Sequence, residues 1–371
     1  MTQSTLSSPK ILILHASAGA GHRKAAEAVY HGFQARGSAV GTARLEDALD
    51  HSSCLFRATY ASFYAYMVGK LPGLWEKFFE LSDQAWFSPV FSSVRRLYNA
   101  LNAGPLVRLV TEGEFDVIVS THFFATEVCG HLRQTGKLRS RLVTIVTDYD
   151  VHRIWLSSGV DLYLVACEHT RERLIALGVK PERVRVTGIP VDEKFLVPRD
   201  KEEIRRKLGL RPEAFTALVS TSSFGFGPID ELADLLKDVQ LIVICGNNKV
   251  LAEKISSRRN PLHKVCGFVN NMEEMLAATD VMVTKPGGLS ITEALAANLP
   301  MIFFSAIPGQ EAGNVAVLAR YTIGSSGQSL PDIAAEIHAL ASSPQRLAAA
   351  RSACAALARP RSVEDIIRNL S

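Results

Sequence analysis

His22 stands where an apolar, strand-like run gives way to a helical pattern, directly behind Gly19-Ala20-Gly21. An imidazole has an ordinary pKa of ~6.5 and can take a proton near neutral pH. The positive end of the following helix disfavours imidazolium, which helps the ring remain a free base. A histidine that only caps or packs at a helix start fits these residues equally well. The loop is not a dinucleotide fingerprint: position 24 is Lys where G-x-G-x-x-G needs its third glycine, so hydride transfer is poorly supported.

A second glycine loop, Lys285-Pro286-Gly287-Gly288-Leu289-Ser290, follows the run Val281–Thr284 and opens another helical pattern. Glycines let backbone approach a ligand closely, and a helix N-terminus offers unpaired N–H groups and a positive dipole end to phosphate. Ser290 either caps the helix or gives its hydroxyl to a phosphate. Glu293 completes the S-x-x-E spacing of a capping box, or accepts ribose hydroxyls. A third segment, Pro308-Gly309-Gln310-Glu311, sits past the run Met301–Phe304. Its adjacent amide and carboxylate suit the hydroxyls of a hexose, although an ordinary turn and cap is the plainer alternative.

Runs at Ile11–Leu14, Phe115–Val119, Leu142–Val146, Leu162–Ala166 and Val184–Thr187 alternate with helical patterns. After Gly188–Asp192 and a charged helix near Lys201–Leu208, a second series follows: Phe215–Ser220, Gln240–Cys245, Lys264–Cys266, Val281–Thr284 and Pro300–Phe304. Such alternation indicates βαβ units and parallel sheets. The expected fold is α/β, with two doubly wound Rossmann-like domains facing across a cleft. Their expected spans are 1–195 and 196–371, the last helix being able to pack back on the first domain.

Taken together and in order, the glycine segments resemble one family of inverting glycosyltransferases. It contains monogalactosyldiacylglycerol synthase and the processive diacylglycerol glucosyltransferases, with the peptidoglycan lipid-intermediate GlcNAc transferase a distant relative. GAGH is similar to that family's GGGH or GNGH. Val146–Trp155, VTDYDVHRIW, is similar to its VTD…H…W segment, and KPGGLSITEAL followed by PGQEAGN to its donor-binding signature.

The resemblance implies a GT-B fold, with acceptor and membrane binding in the first domain and a UDP-sugar in the second. His22 would be the general base, with Asp148 a further catalytic residue and His152 and Trp155 orienting the acceptor. Gly21 would lie on the donor side; Gly287, Gly288, Leu289 and Ser290 would hold the diphosphate and Glu293 the ribose. Gln310 and Glu311 would hold the sugar, and Phe268 and Val269 would line the uracil pocket. After Ala217–Ser220 the chain departs from the family's glycine-rich loop. Ser222 still offers a hydroxyl to phosphate, but Phe224 and Phe226 put close backbone approach in doubt.

Residues 54–98 carry twelve aromatic side chains, against a chain total of 17 Phe, 8 Tyr and 3 Trp. Arg57, Lys70, Lys77, Arg95 and Arg96 are interleaved, and Pro72-Gly73 and Ser88-Pro89 break the stretch into short helices. Aromatic and basic residues mixed in this way suit a bilayer headgroup zone. Phe63, Tyr66, Trp75, Phe78, Phe79 and Trp86 are the expected membrane contacts, the alternative being core or a dimer contact.

The partners implied are UDP-glucose or UDP-galactose, a diacylglycerol-type lipid and an anionic membrane surface. The place implied is the cytoplasmic face of the cell membrane, held peripherally. A net charge of +4 does not suggest nucleic acid. No run reaches the ~18 apolar residues of a membrane span, and MTQSTLSSPK lacks a signal core. The six cysteines form no CxxC pair, and no DxD-type cluster demands a metal, so neither cofactor nor metal is expected. Transfer of GlcNAc to an isoprenoid-linked acceptor and nucleotide-sugar epimerisation on the same fold are the alternatives.

Overall fold

The run KILILH forms β1 (Lys10–His15), buried at every position but its first. A strand covered by helices on both faces has no polar side to show, hence the unbroken apolar run. The computed structural model describes residues 8–17, 19–220, 227–304, 310–326 and 329–370. The remaining strands of the first sheet are β2 (Thr42–Asp47), β3 (Val117–Ser120), β4 (Arg141–Ile145), β5 (Leu162–Val165) and β6 (Val184–Val186). All run parallel in the order β2-β1-β3-β4-β5-β6. β2, TARLED, has no apolar run because it is a half-exposed edge.

Side chains alternate across this sheet. Leu12, Leu14, Ile118 and Leu142 pack with Phe124, Trp155 and Tyr163 on one face. Ile11, Ile13, Val119 and Val143 pack on the other with Ala26, Val29 and Phe33 of the helix Ala20–Arg36. That second face also receives the helix Ser362–Leu370 through Val363, Ile366, Ile367 and Leu370. Gly32 permits the approach, since a Cβ there would lie 2.3 Å from Val363 Cγ1.

The second sheet contains β7 (Thr216–Ser220), β8 (Gln240–Ile244), β9 (His263–Cys266), β10 (Val281–Thr284), β11 (Met301–Phe303) and β12 (Ser325–Ser326). These too are parallel, in the order β12-β11-β10-β7-β8-β9. Asp280, just before β10, gathers Lys201, Arg205 and Arg351, so the strand that carries the second glycine loop is fixed from below. The chain divides into two compact units. One is 1–193 with 308–310 and 360–371; the other is 194–307 with 311–359.

Strand order reverses between β1 and β3 in the first sheet and between β7 and β10 in the second. In open parallel sheets, ligands bind outside the carboxyl ends of the strands at such reversals.

Candidate functional site

In the first unit, the carboxyl ends of β1, β3 and β4 meet at His22. The helix carrying it starts at Ala20, earlier than the apolar spacing suggests, with Gly19 at its head and no side-chain cap. His22 Nδ1 lies 2.9 Å from the carbonyl oxygen of Thr121, after β3, and 2.9 Å from Thr147 Oγ1, after β4. A carbonyl only accepts, so Nδ1 carries the proton and Nε2 keeps its lone pair. Thr121 Oγ1 donates back to the carbonyl of His22 at 2.9 Å, which pins the first turn of the helix.

Crowding by protein atoms lowers the His22 pKa to about 4, because burial penalises imidazolium; the Thr121 carbonyl opposes this and His15 adds to it. Two further imidazoles surround the site that spacing alone did not single out. His122, buried, meets His22 edge-on with ring centroids 4.6 Å apart, and its Nδ1 accepts from Phe124 N–H. His15 is buried at the end of β1, its Nδ1 3.8 Å from Asp47 Oδ2. Burial lowers the pKa of both.

The other residues singled out in VTDYDVHRIW take different parts. The Nδ1 of His22 is held by Thr121 and Thr147, and Asp148, next to Thr147 in the chain, is buried. His152 is buried beside the helix Pro72–Ser82. Its Nε2–H reaches the carbonyl of Phe79 at 3.0 Å and its Nδ1 accepts from Ile154 N–H at 2.9 Å, so both nitrogens serve to anchor chain. Trp155 is buried, its ring 6.1 Å from that of His22 and 6.0 Å from that of Phe123, so it backs the His22 imidazole from inside.

In the second unit, the helix after β10 is Gly288–Ala296, with Gly287 as its cap residue. Ser290 is therefore the third helical residue and no N-cap, which removes the capping-box alternative for Ser290 and Glu293. Gly288, Leu289 and Ser290 occupy the first turn, where backbone N–H groups have no partner within the helix. Gly287 has φ −72° and ψ 137°, open to any residue. Among the described residues the nearest atom to a Cβ there would be Glu311 Oε1 at 3.9 Å, so Glu311 lies beside the PGG loop.

Asn314 Nδ2 donates to the carbonyl of Pro286 and holds the loop. Phe268, exposed, and Val269, half-buried, follow β9, three strands from β10 and about 14 Å away at the usual strand spacing. Ser222 lies outside the described residues, as does the side chain of Gln310.

The aromatic stretch folds into the helices Cys54–Lys70, Pro72–Ser82 and Ser88–Asn102, with proline in the first turn of the last two. Helix Ser88–Asn102 is inside-out. Val90, Val94, Tyr98 and Leu101 form an exposed apolar stripe, while Asn99 and Arg95 turn inward to Glu127. Trp86, at 70% exposure, Tyr66, at 57%, and Phe78 continue the apolar surface.

Phe79 does not: its ring packs 4.2 Å from that of His152. Trp75 is half-buried against Phe78 and Phe79. The side chain of Phe63 lies outside the described residues. Arg95, bound to Glu127, is not free for a headgroup; Lys70, Lys77 and Arg96 are exposed. The aliphatic half of this surface went unnoticed in the sequence because only its aromatics stand out. Among the described residues no helix is long and apolar enough to cross a membrane.

A family model described as monogalactosyldiacylglycerol (MGDG) synthase matches residues 22–191, and one described as glycosyltransferase family 28 C-terminal domain matches residues 227–319. The chain is 31% identical over 318 residues to the processive diacylglycerol beta-glucosyltransferase of Bacillus subtilis (strain 168), spanning 82% of this chain and 80% of that one. Among solved structures, MurG of Acinetobacter baumannii matches with a TM-score of 0.63 at 15% identity, over 98% of this chain and 99% of that one. UDP-GlcNAc 2-epimerase from Neisseria meningitidis, bound to UDP-GlcNAc, matches with a TM-score of 0.62 at 12% identity, over 97% and 99%. At such identities the likeness is one of fold.

Two parallel-sheet units of this kind, with both glycine loops at strand-order reversals, define a glycosyltransferase of the GT-B fold. More narrowly, the chain belongs to the family of monogalactosyldiacylglycerol synthase and the processive diacylglycerol glucosyltransferases.

Proposed function

We propose that this chain transfers a hexose from a UDP-sugar to diacylglycerol or a glycosyl-diacylglycerol, inverting the anomeric centre, while docked on the inner face of the cell membrane. The observation that carries the reading is His22: neutral, with Nδ1 occupied as a donor and the Nε2 lone pair left to take a proton. The acceptor hydroxyl gives its proton to Nε2 as its oxygen bonds to the anomeric carbon, and the bond from that carbon to the diphosphate breaks. UDP departs with the bonding pair. The N–H groups at the head of the helix Gly288–Ala296 stabilise its growing charge without a metal ion.

UDP-glucose is the preferred donor in this reading, from the name of the Bacillus subtilis relative. A β-glucoside made from α-linked UDP-glucose requires inversion, as does a single displacement assisted by a base. UDP-galactose is the competing donor. The exposed apolar stripe favours a lipid acceptor over the sugar epimerisation named for the Neisseria fold relative, which needs no lipid.

The test is to incubate the protein with diacylglycerol vesicles and a panel of UDP-sugars, reading products by mass, beside His22→Ala. A glycosyl-diacylglycerol is expected from the unaltered chain. The variant should lose the 10²- to 10⁴-fold that a positioned base supplies while still binding UDP. Near-normal turnover by His22→Ala would end the base assignment. Conversion of the UDP-sugar without lipid would end the transferase reading.

A further inference from the structure

We propose that Thr147 is a positioning residue for the base, forming with the Thr121 carbonyl a clamp of two uncharged oxygens that holds the His22 ring in its Nδ1–H form. The inference rests on the proposed role of His22.

The two oxygens approach one nitrogen from different strands. Thr121 follows β3 and Thr147 follows β4, and each oxygen lies 2.9 Å from Nδ1. The carbonyl decides the tautomer, since an unprotonated Nδ1 would set lone pair against lone pair. The Thr147 hydroxyl then accepts as the second partner of the same N–H. One acceptor fixes which nitrogen carries the proton; a second, off the first axis, restrains rotation of the ring and so aims the Nε2 lone pair. Thr147 is buried, so its rotamer is fixed by packing.

Serine-hydrolase triads solve the same problem with a carboxylate, which also stabilises the imidazolium. Here the partners carry dipoles and no net charge. His15 at the end of β1 and His122 at the head of the helix Phe123–Gln134 are two titratable groups close to the ring, and burial disfavours the charged form of both. The clamp therefore orients the ring with little increase in basicity, consistent with a base that stays unprotonated well below neutral pH.

The experiment uses the full chain with diacylglycerol vesicles and UDP-glucose, comparing Thr147→Val, Thr147→Ser and His22→Ala, together with nitrogen NMR of the histidines in the unaltered protein. The resonances of His22, identified by their absence in His22→Ala, should show a protonated Nδ1 and an unprotonated Nε2. Thr147→Val should lower kcat about 10- to 100-fold, a share of what a base supplies, with KM for UDP-glucose unchanged. Thr147→Ser, which keeps the oxygen, should stay within about threefold of the unaltered protein.

A protonated Nε2 in the unaltered protein overturns the clamp even if Thr147→Val fails to fold. So does a folded Thr147→Val with unaltered kcat, or equal losses in the Val and Ser variants. If His22→Ala keeps its turnover, the base assignment fails instead, and the NMR result still decides the tautomer.

Discussion

The guanidinium of Arg95 lies flat against the carboxylate of Glu127, with Nε 2.8 Å from Oε2 and Nη2 3.1 Å from Oε1. Asn99 Nδ2 adds a third bond to the same carboxylate at 2.6 Å. The pair binds the polar side of the helix Ser88–Asn102 to the helix Phe123–Gln134, whose head is His122 and hence the neighbour of His22. The apolar side of Ser88–Asn102 is turned out as a consequence. One ion pair thus connects the exposed apolar stripe to the surroundings of His22.

Removing one member of that pair leaves the other buried without a counter-charge. With side-chain exposures of 14% for Arg95, which is half-buried, and 9% for buried Glu127, the pair is largely withdrawn from water, and Glu127→Ala is expected to cost about 3 kcal/mol. Glu127→Gln, which keeps an acceptor, should cost less. Denaturant unfolding checks both, and a Glu127→Ala variant as stable as the unaltered chain would show that Asn99 and solvent replace the pair.

Gly287 offers a cleaner separation of fold from ligand binding. Its backbone suits any residue, and among the described residues a Cβ would have only Glu311 Oε1 near it, at 3.9 Å. Folding therefore does not require glycine here; close approach by a ligand does. Gly287→Val should leave the thermal midpoint within a degree or two while UDP binding weakens at least about tenfold, or ~1.4 kcal/mol. Calorimetric titration with UDP measures it, and unchanged affinity would move the diphosphate away from this loop.

The histidine cluster predicts two pH dependences. His22 is drawn down to about 4, so the acid limb of kcat/KM should lie near that value, and activity should be flat above about pH 5.5. A limb near 6.5 would mean a ring freely hydrated in the working enzyme. For stability, His15, His22 and His122 all have lowered folded values, so the unfolded chain binds more protons between about 4 and 6.5. Stability rises with pH through that window, is fully present above about 6.5 and is lost as the pH falls toward 4. Urea midpoints at about pH 5 and pH 7.5 check the sign, and a higher midpoint at pH 5 would contradict it.

The two sheets were legible because buried parallel strands are written as unbroken apolar runs: KILILH and VMVT read as strands without help. β2 and β12 were not, since an edge strand half-covered by protein, TARLED, has the composition of a loop. His22 stood out by its place after two glycines. Its partners did not, because Thr121 and Thr147 lie 99 and 125 positions away and are ordinary threonines until strand order brings them together. Ser290 misled through a real spacing rule, S-x-x-E, that the helix overrides by starting at Gly288. In Ser88–Asn102 the aromatics stood out and the aliphatic stripe did not, and no spacing could say which face looks inward. The choice is made by Glu127, on another helix.

That outward face gives the last prediction. Val90 is 60% exposed, Val94 65% and Leu101 76%, so most of each side chain already stands in water. Replacing all three with serine should therefore leave the unfolding midpoint unchanged. On a bilayer, each side chain withdrawn from water is worth roughly 1.5 kcal/mol or more, so the triple variant should bind vesicles of diacylglycerol and an anionic phospholipid at least tenfold more weakly. The loss should persist at high salt, because burial of apolar surface is not screened, whereas charge reversal at Lys70, Lys77 and Arg96 should matter only at low salt. Turnover on vesicles should fall in proportion to binding, while UDP affinity stays unchanged. Flotation of vesicles with bound protein measures the first effect directly. Undiminished binding by the triple variant would mean that the stripe faces water in the working enzyme and that the lipid is met elsewhere on the first unit.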